Sequence, residues 1–435
     1  YQPMVDAEER EQTDGRPILE DLPGRITVSP KVSPNGRYVI FLSEKDLFGL
    51  DLFLADARKG EVIRKVFSTT REGHIDEYNN IESAGAWSPD SRQFATVAFL
   101  KGKNALIIKE VLTGKTVFEK GIPGVPAFTN PTWSADGETI VLTGLVNGQV
   151  DLYAFNIESG KVRQLTNDKY SEMHPEFSPD GQELVFATDE LSHRRGRTGG
   201  RLAFNLAVLD LTTGATELLD PFPGADNLNP VFDREGNILF LSNRDGYRDL
   251  YQLERSSGKV YQLTKLKTGI SGITHYAPAI SVGQMRDRDR VMYSVYRKGG
   301  YVLVKDYLEN FEQEEVDPSE VDLSPAMLPL VSREGLTVTQ RLSAMSQLYE
   351  IDTTTFAKRD YEPRFRLDYI GGGTGIGIGN NSVFGTQAGM AGGVDMLFGD
   401  MLGNQQLYAG LNVNGQVYDF GGQVAYINRK NPIIW

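Results

Sequence analysis

One eight-residue pattern recurs along this chain and limits what it can fold into. Its fullest copy is His174-Pro175-Glu176-Phe177-Ser178-Pro179-Asp180-Gly181, followed by an apolar run at 184–188. Asn130-Pro131-Thr132-Trp133-Ser134-Ala135-Asp136-Gly137 repeats it, and so do the stretches opening at Ser29-Pro30 and Asn229-Pro230. Aligned on the proline two residues before an apolar anchor, six units start at Pro30, Gly85, Pro131, Pro175, Pro230 and Pro278, with Gly85 standing where the others have proline. The anchors are Val32, Trp87, Trp133, Phe177, Phe232 and Ile280. A repeat of this regularity decides the fold before any one residue is interpreted.

Each unit has the same internal order. The anchor is followed by a turn of the Ser-Pro-Asp-Gly type, where proline presets φ and glycine accepts positive φ. Next come a β-rich run (38–42, 94–99, 139–143, 184–188, 238–241, 291–296) and a third run after a loop. A glycine hairpin follows at Gly60, Gly114, Gly160, Gly214 and Gly258, and a fourth run leads out. Four short antiparallel strands per unit cannot bury both faces of their own sheet, but stacking the units around an axis can. The spacing therefore predicts an all-β chain built on a six-bladed β-propeller of four-stranded blades over 25–308. The sixth unit lacks the glycine hairpin and a clear fourth strand. A strand from the N-terminal segment, with 25–28 the expected candidate, would complete it.

The motifs that carry this reading are Trp-Ser-Pro-Asp at 87–90, Phe-Ser-Pro-Asp-Gly at 177–181, Asp-Leu-Tyr at 151–153 and 249–251, and Gln-Leu-Thr at 164–166 and 262–264. Together with Ser-Asn-Arg-Asp-Gly at 242–246 they resemble the TolB-type six-bladed propeller with WD40-like (PD40-type) repeats, which also occurs in peptidases of the prolyl-oligopeptidase kind. The resemblance covers roughly Ile26 to Leu308 and departs at Gly85 and in the sixth unit. It implies an interaction platform in the periplasm or envelope of a Gram-negative bacterium.

The flanks differ in character. Residues 1–24 are polar and acidic and read as a linker or the tail of an upstream domain. Residues 309–360 open with seven carboxylates and no Lys or Arg up to Asp322, then carry Pro325 and Pro329, and read as an acidic linker. From 361 to 435 glycine is dense and charge nearly vanishes. Leu407, Ala409, Leu411 and Val413 alternate with Tyr408, Gly410, Asn412 and Asn414. Such alternation in segments of about 10 residues is the signature of a transmembrane β-barrel. The segment resembles the opening strands of outer-membrane surface-antigen barrels, and implies contact with the outer membrane; a glycine-rich soluble sheet is the competing reading. Both ends of the sequence read as cuts through a longer protein.

Composition narrows the function. A net charge of -13 argues against nucleic acid as a partner, and the absence of cysteine removes disulfides and thiolate chemistry. No Gly-x-Ser-x-Gly elbow and no His-Glu-x-x-His pattern occurs, so no catalytic residue, cofactor or metal is expected. His74, His174 and His275 all lie in or near loops that lead into first strands, where a shared metal site is conceivable; three independent loop histidines is the simpler reading. The loops feeding the first strands (77–83, 121–130, 167–174, 223–229 and 267–276) are longer than the hairpins. Binding residues concentrate on loops held by a rigid scaffold. Candidate binding residues are therefore Tyr170, His174, Asn227 and His275. Arg194, Arg195 and Arg197 join them, from a basic run in an acidic protein that suits an acidic partner or simply extends a solvated hairpin. The expected function is a non-catalytic propeller that binds an envelope protein or peptide and is tethered to an outer-membrane barrel. Two alternatives stand beside it: a propeller accessory to a peptidase domain, and the periplasmic part of an outer-membrane transport or assembly protein.

Overall fold

The structure, a computed structural model, describes residues 15–46, 50–68, 72, 74–79, 83–195, 202–285, 287–326, 361–381, 385–415 and 420–429. The chain divides into two compact units, Tyr1–Leu330 and Val331–Trp435.

The strands of the first unit form six antiparallel sheets. The third shows the plan: Ala127–Trp133, Thr139–Val146, Gln149–Asn156 and Val162–Gln164 pair in sequence order. The first sheet repeats it with Thr27–Val32, Tyr38–Ser43, Asp51–Asp56 and Val62–Phe67, and the fourth with Glu172–Phe177, Glu183–Thr188, Asn205–Asp210 and Thr216–Leu219. All six anchors fall on first strands, as the repeat requires. These first strands touch their neighbours in sequence order, and the sixth, Ile280–Met285, packs back against Thr27–Val32 of the first. Second strands are buried on both faces: Val39, Ile40, Phe41 and Leu42 have no exposed surface. Stacking thus satisfies sheets that would otherwise each leave an apolar face in water, at about 1.5–3 kcal/mol per large side chain buried.

Three side-chain locks explain the recurring motifs. The residue before the proline sits at positive φ in four copies (Ser29 53°, Asn130 46°, His174 54°, Asn229 56°), and each marks a slip in the pairing of first and second strands. The motif is a β-bulge that bends the inner strand. In the second sheet Gly85 takes this role at φ 75°, and the first strand is split into Glu77–Tyr78 and Ala86–Trp87. A Cβ at Gly85 would lie 2.4 Å from the Phe94 ring and 2.6 Å from the Ala95 carbonyl oxygen. In the turn, Ser178 Oγ donates to Asp180 Oδ1 at 2.6 Å and accepts the Glu183 N–H at 2.9 Å, while Asp180 Oδ1 accepts the Gln182 N–H at 3.0 Å. Ser88 with Asp90, and Ser134 with Asp136, make the same set. In the fifth copy Asp233 stands in for the serine and accepts the N–H groups of Glu235 and Asn237. The Asp-Leu-Tyr and Gln-Leu-Thr motifs meet across the third and fourth strands. Thr264 Oγ1 donates to Asp249 Oδ1 at 2.9 Å and accepts the Leu250 N–H at 3.0 Å; Thr166 accepts the Leu152 N–H at 2.8 Å in the third sheet.

Two expectations about the flanks are corrected. Residues 1–24 are not wholly a linker: Arg16–Ile18 pairs with Gly300–Tyr307 and supplies the fourth strand of the sixth sheet. The expected closing segment near 25–28 instead opens the first strand of the first sheet. The sequence signal was weak because three residues suffice: Ile18 is buried among Val32, Val39, Met292 and Leu303. Nor is 309–360 wholly a linker. Glu314–Val316 adds a fifth strand to the fifth sheet along Lys259–Gln262, with Lys259 Nζ 2.8 Å from Glu315 and Lys265 paired with Glu314. Two of the seven carboxylates that suggested a solvated linker, Glu314 and Glu315, are paired with lysines of that edge. Residues 327–360 lie outside the described residues.

The second unit has one four-stranded antiparallel meander: Arg366–Asn381, Gly385–Gly399, Gln405–Gly415 and Phe420–Asn428. Register sorts its side chains. Phe398, Leu407 and Tyr426 align, as do Met396, Ala409 and Val424. The opposite face carries Asp395, Gly410 and Gln423. The sheet is amphipathic, and its apolar side is open: Leu367 is 51% exposed and Val424 74%.

Candidate functional site

The first strands run from a loop end to a turn end, where five of the six enter turns of the Ser-Pro-Asp-Gly type. At the loop end a narrow cavity is lined by Ser83–Gly85, Asn130, His174, Asn229 and Pro278, with Lys31 and Glu176 deeper. His174 occupies the bulge of the fourth sheet, and the bulge aims its ring inward. The ring is 7% exposed. Its Nε2 lies 2.9 Å from the Tyr276 carbonyl oxygen, which can only accept, so Nε2 carries the proton. Nδ1 is then a lone-pair acceptor; it is buried and has no hydrogen-bond partner among the described residues. Burial, reinforced by the charges of Arg248 and Lys31, pushes the imidazole down to about 3, so it is neutral at physiological pH.

Tyr276 is the outward continuation of this contact. Its ring is 40% exposed and is held edge-on by Phe204 at 5.8 Å and His275 at 5.1 Å. His275 Nε2 lies 2.8 Å from Asp226 Oδ2, and Asp226 Oδ1 accepts the Phe204 N–H at 3.2 Å. Residues from the fourth, fifth and sixth sheets thus brace one exposed aromatic ring. Arg248 reaches the same place: its guanidinium lies 3.4–3.5 Å from the Ala277 carbonyl oxygen, and burial lowers its pKa to about 10 against the opposing pull of Asp226.

Asn227 is corrected as a binding residue. It is fully buried, and its Nδ2 donates to the carbonyls of Phe204, Phe222 and Ala225. Its Nδ2 holds the entry loop in place, while its Oδ1 is buried with no partner among the described residues. The basic run is described only at its start. It begins as a short helix, Glu190–Arg195, in which Arg194 pairs with Glu190 and Arg195 with Asp220. Tyr170 stacks near His193 at 5.6 Å, beside this helix and apart from the Tyr276 group. Arg197 lies outside the described residues. The three loop histidines do not converge: His74 pairs with Glu119 at 3.1 Å, while His174 and His275 have the partners given above. Among the described residues no cluster of His, Asp and Glu could hold a metal.

Tyr276 and Asp226 were missed because neither belongs to the repeat, and single loop residues carry no periodic signal. Glu172 was missed for the same reason. It is 1% exposed, hydrogen-bonds Thr166 at 3.2 Å, and is pushed up to about 9 by burial and by the nearby charges of Asp168 and Asp151.

Comparison with known proteins bears on the fold. Residues 68–199 match the family model described as the TolB beta propeller domain. A protein TolB homolog of Chlorobium chlorochromatii is 29% identical over 161 residues, 35% of each chain. The Tol-Pal system protein TolB of Francisella tularensis subsp. mediasiatica is 32% identical over 121 residues, 28% of this chain and 26% of that one. The matches therefore span about a third or less of these relatives' length. A putative TolB from Agrobacterium tumefaciens superposes with a TM-score of 0.47 at 19% identity, covering 65% of this chain and 91% of that one. The family match covers residues 68–199, and the repeated sheets on either side of it follow the same plan, so the first unit has a TolB-like β-propeller fold.

Proposed function

We propose that the first unit is a six-bladed, non-catalytic binding propeller of the bacterial envelope, working in the periplasm, and that it grips a protein or peptide at the loop end of its channel. The observation that carries this is Tyr276: a large exposed aromatic ring fixed from three sheets, beside a buried acceptor, His174 Nδ1, that lacks a donor. Rigid aromatic anchors next to desolvated pockets dominate protein interfaces. A peptide N–H or a side-chain hydroxyl entering the channel would satisfy Nδ1. The name of the Francisella relative, a Tol-Pal system protein, supports a partner within such an envelope system.

The second unit, in this reading, is the opening of an outer-membrane barrel. Its support is the amphipathic register and the strand lengths of 16, 15, 11 and 9 residues, against 8 or fewer in most propeller strands. An open sheet cannot satisfy its edges in lipid, so further strands would complete it.

The test is affinity capture from a bacterial envelope fraction with the wild-type chain and with Tyr276→Ala and His275→Ala. Each variant should lose the bound partner by about tenfold or more, the loss typical of a truncated interface anchor. Equal recovery by all three chains contradicts the assignment of this end.

A further inference from the structure

The opposite end of the channel holds a larger cavity that is open to solvent. Two consecutive residues from the first strand of every sheet line it, from Lys31-Val32 of the first to Val282-Gly283 of the sixth. Its wall is aromatic, with Trp87, Trp133, Phe177 and Phe232. Its rim is made by exposed turn residues, Pro34, Pro89, Ala135 and Pro179. Just outside the rim stand Asp136 and Asp180. Hydrogen bonds from Ser134 and Ser178 and from backbone N–H groups hold both carboxyls below the usual carboxylate range, so both are firmly ionised.

The floor shows what this funnel does to a cation. Lys31 of the first sheet extends to Glu176 of the fourth, with Nζ 2.8 Å from Oε2. In a ring of six these sheets stand opposite each other, so the pair crosses the channel. It is not sealed in: the two side chains retain 17% and 29% of their exposure. The lysine backbone is fixed, since Trp87 Nε1 donates to its carbonyl oxygen at 2.8 Å. Its side chain is held by the carboxylate alone among the described contacts.

We propose that this turn-end funnel is a second binding site, for an arginine side chain of an extended peptide, with Glu176 as the receptor carboxylate and Lys31 as a built-in competitor. A guanidinium presents two parallel donors to a carboxylate where an ammonium presents a point charge. Its flat face also stacks on aromatic walls such as those of Trp133 and Phe177. Asp136 and Asp180 at the rim attract the cation inward. Arg234, also on the wall, is engaged by Asp289 at 3.4 Å and leaves Glu176 to the incoming group. The site opens at the other end from the loop-end interface; Lys31 and Glu176 lie on the floor of both cavities, and the two mouths share no residue.

The funnel contains two of the three tryptophans of the chain, so intrinsic fluorescence reports on it. The probe is a blocked pentapeptide with one central arginine among alanines, titrated into the full chain; the all-alanine peptide is the control. Wild type should show a saturable change with the arginine peptide only. Glu176→Gln should weaken binding about tenfold or more, as loss of a charged partner does. Lys31→Met should tighten it several-fold by removing the competitor. Both substitutions break the same internal ion pair, so a purely structural role would move them in one direction; the opposite signs are the signature of competition. Tyr276→Ala should leave this titration unchanged. The proposal is overturned if neither wild type nor Lys31→Met gives a saturable signal, if Glu176→Gln binds as wild type does, or if the alanine peptide binds equally.

Discussion

The sheets of the first unit and the sheet of the second are built by the same antiparallel pairing but handle their apolar faces differently. In the first unit each sheet is covered by its neighbours, and Leu42, Leu54, Phe94 and Leu142 have no exposed surface. In the second, Leu367, Ile370 and Val424 are more than half exposed, on strands up to twice as long. One region closes on itself through a ring of inner strands. The other has a polar face, an apolar face and nothing among the described residues of its unit to cover the latter. The difference teaches that alternation alone leaves the solvent of a strand undecided; what matters is whether a second layer is encoded elsewhere in the chain.

The largest expected effect separates the two regions by solvent. A chain ending at residue 330 should stay monomeric in plain buffer, whereas the full chain should need detergent to avoid association, read by light scattering. If both behave alike in buffer, the apolar face of the second unit is covered and the contrast fails. A single charge sharpens the same point. Val424→Lys should barely change unfolding of the propeller but should reduce partition of the full chain into detergent micelles, with a cost of about 2–4 kcal/mol per lysine at a bilayer midplane.

Within the propeller, ring closure should be the most sensitive place. A Cβ at Gly283 would meet Val32 Cγ1 at 2.4 Å and the Ser33 carbonyl oxygen at 2.7 Å. Gly283→Val is expected to destabilise by about 3 kcal/mol, the upper end of overpacking costs, in urea unfolding. Gly214→Ala meets nothing within 4 Å and carries only the strain of φ 75°, so it should cost about 1–2 kcal/mol.

Two buried groups set a smaller dependence on pH. His174 has its folded pKa depressed from 6.5 to about 3, so its contribution is present above 6.5 and is lost as pH falls toward 3. Glu172 has its folded pKa raised from 4.5 to about 9, so its contribution is present below 4.5 and is lost as pH rises toward 9. Between 4.5 and 6.5 the two slopes oppose and stability should be flat; above 6.5 the slope from Glu172 stands alone, at about 1.4 kcal/mol per pH unit at most. Glu172→Gln should flatten that alkaline limb in urea titrations. An unchanged limb would place the titration elsewhere.

What could be read from the sequence follows the same divide between repeated and unique residues. Proline, anchor, serine, aspartate and glycine recur because backbone geometry demands them in every sheet, so comparison of copies exposed the strands, turns and anchors. Arg16–Ile18 and Glu314–Val316 are each three residues long and pair over a large sequence distance, so no local pattern marks them. Among candidate site residues, His174 and His275 do meet at Tyr276. Asn227 looked alike in type but turned inward, because a loop amide can serve a ligand or its own backbone, and sequence does not say which. The turn-end funnel stayed hidden because its residues are the repeated ones, and repetition reads as architecture.

The central claim is that the propeller holds its partner at the loop end, through Tyr276. The most direct measurement is in-cell photo-crosslinking with a photoreactive residue placed at position 276 and, in a separate strain, at Thr213 on an outer hairpin. The account predicts one discrete envelope adduct from position 276 and none from 213. Equal adducts at both positions, or an adduct at 213 alone, would contradict it.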